Sequence, residues 1–233
     1  MSTMRDRSKN MSRFIKEVII VSQRKRNIIA PTIVLVCGFL LFFFGTDGFQ
    51  AFTAETARTN KLLKEQPKFP AVILEDSQER TYSFSKFKGK YVFITFMYTS
   101  CEDVCPVLEM NMAQVYQSIP EKYIGDDIVF LSISFDPERD DPDTLKKYRG
   151  YFNSDGETWR MARIPDQKEL DELLDEFGVI VIPDDYGNFT HNSAFYLVDP
   201  DGFLVDVMDY QNVAEAAQTV KTILDAETGG NKQ

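Results

Sequence analysis

Two short runs, Tyr91–Tyr98 and Ile128–Phe135, are apolar almost without interruption. Runs this short and this continuous suit central strands buried on both faces, and such a sheet needs cover on each face. The residues around them supply it. Leu108, Met112, Val115, Tyr116 and Ile119 recur at helical spacing after the first run, with Pro106 placed for a first helical turn. Thr144–Tyr151 reads as a helix and Trp159–Arg163 as a short strand. Leu170, Leu173, Leu174 and Phe177 mark an acidic amphipathic helix stopped by Gly178. Ala194–Val198 and Phe203–Val207 flank the turn Asp199-Pro-Asp-Gly202, a strong hairpin signal. Val213, Ala216, Ala217, Val220, Ile223 and Leu224 predict a last helix.

Strands alternating with helices, then a hairpin and a closing helix, predict an α/β sandwich with a mixed central sheet flanked by helices. The order of elements matches the thioredoxin arrangement. Nineteen Phe and ten Tyr predict a core rich in aromatic rings. The compact pattern spans residues 67–227, with a tail at 228–233. Residues 45–66 lack sustained periodicity and read as a tether.

The charge is split along the chain. Residues 1–30 hold eight Lys and Arg against two acids, and the other 203 residues hold eighteen against thirty-four. So acidic a body excludes nucleic-acid binding, which needs basic patches to displace counterions. It suits a cationic partner or a metal cation. Between the two regions, Ile28–Phe44 is seventeen residues without a charge. As a helix it extends about 25 Å, the short end of what a bilayer core requires. Arg24-Lys25-Arg26 precede it directly, so the positive-inside rule puts the basic arm 1–27 in the cytoplasm and the acidic body outside. We expect an uncleaved single-pass anchor rather than a signal peptide, because no clean cleavage site follows. Cys37, inside the segment, reads as a small hydrophobe.

Cys101 and Cys105 stand four residues apart, after a buried strand and at the start of a helix. Exposed amides and the helix dipole favour thiolate there, and thiolate is both nucleophile and metal ligand. The pair could be a structural disulfide, a redox pair or a metal site. A disulfide closing so short a loop stabilises little, which argues against the first. His191, the only histidine, directly precedes the hairpin's first strand. In a thioredoxin-like sheet that loop faces the start of the first helix. Thioredoxin-type oxidoreductases carry a proline in that region, whereas here the nearest upstream proline is Pro183. Two thiolates and one imidazole suit Cu(I) by softness and low coordination number. Zinc would want a fourth ligand, and none is obvious.

Phe96-Met-Tyr-Thr-Ser-Cys101-Glu-Asp-Val-Cys105-Pro106 resembles the signature of the Sco/SenC family. His191 with the following Asn-Ser-Ala-Phe-Tyr-Leu-Val-Asp-Pro-Asp-Gly resembles its second motif, and Ser132-Ile-Ser-Phe-Asp136-Pro-Glu-Arg139 its middle one. The likeness runs from about Phe69 to Leu224, and an N-terminal anchor is usual in the family. Glu102 departs from the proline that many members carry. The resemblance implies a thioredoxin-like domain binding one copper ion through Cys101, Cys105 and His191. It also implies a role in assembling the dinuclear copper centre of cytochrome c oxidase, with subunit II as partner. Asp103 and Asp136 lie near the site without an assigned role.

The leading expectation is therefore a metallochaperone without turnover. It is held by a bacterial membrane with its domain on the outer face; a mitochondrial inner membrane is the alternative. The second reading is a thiol–disulfide oxidoreductase that uses Cys101 and Cys105 to reduce the oxidase subunit's cysteines before metallation, leaving His191 dispensable. A peroxiredoxin-type peroxidase ranks below both, because Tyr98-Thr99-Ser100 before Cys101 does not give the Pro-x-x-x-Thr-x-x-Cys setting.

Overall fold

The structure, a computed structural model, describes residues 31–45 and 53–230. They fall into two compact units, one ending at Ala57 and one starting at Arg58. In the first, residues 31–45 form helix α1, which exposes apolar side chains from Ile33 to Phe44. Fifteen helical residues extend about 22 Å, short of the ~30 Å of a bilayer core. Among the described residues no helix is long and apolar enough to cross a membrane. Residues 28–30 of the predicted anchor, and the basic arm before it, lie outside the described residues.

The stretch read as a tether includes a helix, α2 (Ala54–Glu65). Its part within the second unit, from Arg58 on, packs through few residues. Leu62 is its one buried side chain, and the Arg58 guanidinium donates to the carbonyls of Phe177 and Gly178. One buried position in twelve residues gives no periodic signal, which is why the sequence pattern does not betray it.

The second unit is built on seven strands: β1 (Ile73–Asp76), β2 (Thr81–Ser83), β3 (Tyr91–Met97), β4 (Ile128–Ser134), β5 (Trp159–Arg163), β8 (Phe195–Val198) and β9 (Leu204–Met208). Their spatial order is β2-β1-β5-β4-β3-β8-β9. Helices α3 (Val104–Ser118), α4 (Pro142–Gly150), α5 (Gln167–Glu176) and α6 (Val213–Gly230) complete it. The two apolar runs become β3 and β4, with every residue buried. They pair in parallel, Phe93 beside Phe130 and Thr95 beside Ser132, joined through α3 as a parallel connection requires. The mixed, helix-flanked sheet agrees with the expected class. The strands that pattern reading misses, β1 and β2, are three or four residues long and half exposed, too short to show alternation.

Aromatic rings fill the core as their number suggests. Phe93 lies 5.2 Å from Phe130 and 5.0 Å from Phe195, and Phe177 packs on Phe69 and Tyr196. Gly178 ends α5 with a positive φ of 60°, a conformation in which a β-carbon is strained.

One pairing decides where the chemistry sits. β8 runs antiparallel to β3, with Val92 opposite Val198 and Ile94 opposite Tyr196. The residues entering β8 therefore lie beside those leaving β3. A separate two-stranded hairpin, β6 (Val181–Pro183) and β7 (Phe189–His191), stands just before β8. His191, expected in a loop, is the last residue of β7.

Candidate metal centre

β3 ends at Met97, and the chain turns through Tyr98 to Cys101 before α3 begins at Val104. Asp140 holds this turn. Its buried side chain accepts hydrogen bonds from the Thr99 N–H at 3.0 Å, from the Thr99 hydroxyl and from the Ser134 hydroxyl. The loop after β3 is thereby tied to the end of β4.

Asp103 occupies the cap position of α3, but its side chain makes no capping bond. The sulfur of Cys101 takes that role, accepting the Cys105 N–H at 3.3 Å. A partial positive charge at the helix start thus points at the sulfur. Cys101 and Cys105 are free thiols, 8% and 0% exposed.

His191 comes to them from β7. Its Nε2 is 3.4 Å from Cys105 Sγ. Its Nδ1 donates to the Asn192 carbonyl at 3.1 Å, which leaves the Nε2 lone pair facing the sulfur. The imidazole edge packs on Phe135 at 4.9 Å and on Tyr98 at 6.4 Å between centroids, and Phe189 closes this aromatic box. Cys101, Cys105 and His191 are the one group of three such side chains among the described residues able to hold a metal ion, their ligand atoms all within 4.8 Å of one another. Ligands at about 2.0–2.3 Å from one ion sit about 3.5–4.0 Å apart in trigonal or tetrahedral arrangement. The three atoms reach that with movements under about 1 Å. The cluster opens on a cleft of about 760 Å³ lined by Glu102, Asp103, Thr190 and Tyr210 among others.

Burial sets the protonation of the metal-free site. Desolvation pushes the Cys105 thiol up, and the neighbouring Cys101 and Glu109 add to it. Desolvation also holds His191 below the usual imidazole value, partly offset by its bond to Asn192. A neutral Cys105 thiol and a neutral imidazole fit so enclosed a place, since charged forms lose their water there.

Pattern reading gives no hint of Glu109. It lies one turn after Cys105 on α3, fully buried, and burial pushes its carboxyl up to about 8 despite a bond from Ser132. The Ser132 hydroxyl donates to Glu109 Oε2 at 2.9 Å and accepts the Trp159 indole N–H at 3.1 Å, linking α3 to β4 and β5. Glu109 Oε1 has no hydrogen-bond partner among the described residues. An acid among apolar helix positions looks like an exposed residue in sequence. Asp136 stands apart from the cluster, in an ion pair with Arg139, whose guanidinium lies 5.4 Å from the Phe189 ring centre.

Fold and site together define a class: a thioredoxin-like domain whose first helix opens on a dithiol facing a histidine. Comparison with known proteins then names the family. The SCO1/SenC family model matches residues 63–225, and the chain belongs to that family. It is 30% identical to the SCO1 protein homolog of Bacillus subtilis over 141 residues, 60% of this chain and 71% of that one. The copper-bound ScoI of Bradyrhizobium japonicum superposes with a TM-score of 0.57 at 28% identity, covering 66% of this chain and 98% of that one. Copper-bound yeast Sco1 gives 0.56 at 25% identity, covering 72% and 96%.

Replacing Asp140 with alanine strips the acceptor from three donors, two of them on Thr99. The Asp140→Ala protein should lose about 2–4 kcal/mol of stability, read from its denaturant midpoint. It should also bind metal more weakly, because Cys101 lies two residues beyond Thr99. Wild-type metal affinity in that variant would show that the clamp does not position the cysteine.

Proposed function

We propose that this chain is a membrane-anchored copper chaperone. It binds one copper ion through the thiolates of Cys101 and Cys105 and the Nε2 of His191, and it helps assemble the dinuclear copper centre of cytochrome c oxidase, subunit II being the recipient. The observation that carries this reading is the convergence of both thiols with the chain's only imidazole, two of the three, Cys101 and His191, lining an open cleft. Two soft thiolates and one imidazole suit Cu(I) and offer zinc one ligand too few. Copper-bound relatives with the same fold support it. The ion is cargo: the domain's core is complete without it, and partner ligands can replace its ligands one at a time.

Copper titration of the reduced chain against a competing Cu(I) chelator tests the ligand set. His191→Ala should weaken binding by about 10- to 100-fold, while Cys101→Ser and Cys105→Ser should abolish it. Unchanged affinity in His191→Ala would remove the imidazole from the set.

The pH dependence has a definite sign. The raised Cys105 thiol keeps its proton through the neutral range and must release it to bind copper. His191, with its pKa lowered, is already neutral and releases none. Affinity should therefore rise with pH by about tenfold per unit for each thiol proton released, measured in the same assay between mildly acidic and mildly alkaline buffer. A flat profile would mean the thiols are ionised before the metal arrives.

One observation also favours thiol exchange. The helix-start amide on Cys101 Sγ stabilises a leaving or attacking thiolate there. In that reading the dithiol passes two electrons and two protons to a partner disulfide and itself becomes a disulfide. His191→Ala separates the two readings, since it would spare the reduction.

The anchor reading rests on the uncharged segment 28–44 and the exposed apolar surface of α1, with the domain on the outer face by its basic flank. The full chain should stay with membranes after an alkaline carbonate wash, and a chain lacking residues 1–53 should be released. Retention of the shortened chain would place the membrane contact elsewhere.

A further inference from the structure

A second cavity, a groove of about 660 Å³, adjoins the metal cleft and shares Phe189 with it. Its floor is apolar, formed by Phe135, Leu174, Val179 and Phe189. Its rim is acidic, with Asp136 and Glu138 after β4 and Asp171 and Asp175 one turn apart on α5. Arg139 neutralises Asp136, and Arg163 is engaged by Glu75 and the Pro137 carbonyl. Glu138, Asp171 and Asp175 form no ion pair among the described residues. Ile180, which also lines the groove, is 54% exposed. Exposed β-branched side chains beside uncompensated carboxylates are costly to keep on a free surface and useful on a binding one.

We propose that this groove docks a cationic segment of the protein with which the domain exchanges metal, a segment carrying Lys or Arg alternating with apolar side chains. Charge selects the occupant. The body beyond residue 30 carries eighteen basic against thirty-four acidic side chains, so a second copy would meet like charge. An anionic lipid surface is repelled for the same reason. Pro183 has no N–H to offer on β6, which makes simple strand addition poor and leaves recognition to side chains. Phe189 lines both the groove and the metal cleft, so a segment seated here brings its protein alongside His191. This deepens the metal-transfer reading and is tested on metal-free protein, where docking and metal binding are read separately.

The probe is an alternating Lys–Leu peptide of about eight residues, titrated calorimetrically into the full metal-free chain in detergent at about 0.02 M salt. The wild type should bind, at least about fivefold more weakly at 0.2 M salt. The Asp171→Asn/Asp175→Asn protein should bind at least about fivefold more weakly than wild type at low salt. Ile180→Ser should weaken the Lys–Leu peptide but not an alternating Lys–Ser peptide. Cys101→Ser should dock normally, so its loss of metal does not count against the groove. The proposal is overturned if the groove variants bind within twofold of wild type. It is also overturned if Glu121→Gln/Asp126→Asn, exposed acids before β4 at the opposite end of the sheet, weakens binding as much. Self-association of the full chain that the groove variants dissolve would assign the groove to a second copy instead.

Discussion

The antiparallel pairing of β8 with β3 is the constraint on which the site depends. β3 delivers the two cysteines from its C-terminal end, and β8 is entered through the three residues after His191. Register in a buried sheet cannot slip by one position without turning a whole hydrophobic face to water. Every residue of β3 and of β8 is buried, so their relative placement is fixed by the core. The imidazole and the thiols, nearly ninety positions apart in sequence, inherit that placement.

Around this pairing, three separate devices hold the three ligand-bearing segments. The Asp140 side chain gathers the loop that carries Cys101. The Glu109–Ser132–Trp159 chain pins the first turns of α3, and with them Cys105, to the neighbouring strands. The aromatic box of Tyr98, Phe135 and Phe189 seats His191. Two of these devices are buried polar networks: Asp140 is engaged by three donors, and the Glu109 chain uses one carboxylate oxygen while Oε1 has no hydrogen-bond partner among the described residues. The third is aromatic: Tyr98 and Phe135 directly follow β3 and β4 of the main sheet, and Phe189, in the separate hairpin, donates its N–H to the Tyr98 hydroxyl.

How much of this is legible in the sequence follows from the kind of signal each part leaves. Continuous apolar runs declared β3 and β4, and 3.6-residue periodicity declared α3, α5 and α6, because burial on a whole face needs many residues of one type. The cysteines and the lone histidine stood out by rarity, and the family motifs tied them together. Short elements left no such trace. The strands β1, β2, β6 and β7 have three or four residues each, fewer than two full alternations. Helix α2 docks through Arg58 and Leu62, and Glu109 hides because a buried acid has the same letter as a surface one. What sequence cannot encode locally is partnership: Glu109 is explicable only once Ser132 and Trp159 are beside it.

The same surroundings divide the protonation work between the ligands. The Nδ1 of His191 is bonded to a main-chain carbonyl, a weaker pull on the ring than a carboxylate would exert. Combined with desolvation, this leaves the imidazole uncharged and its Nε2 open, so an arriving cation competes with no proton there. The thiols are different. Cys105 is shielded from water, and desolvation with the nearby Cys101 and Glu109 outweighs the favourable backbone bond near Tyr98, so its thiol keeps its proton until a cation at the sulfur offsets the cost of ionising it. Metal and proton therefore exclude one another at Cys105. A partner that withdraws the metal leaves a Cys105 sulfur that recovers its proton, in keeping with its burial.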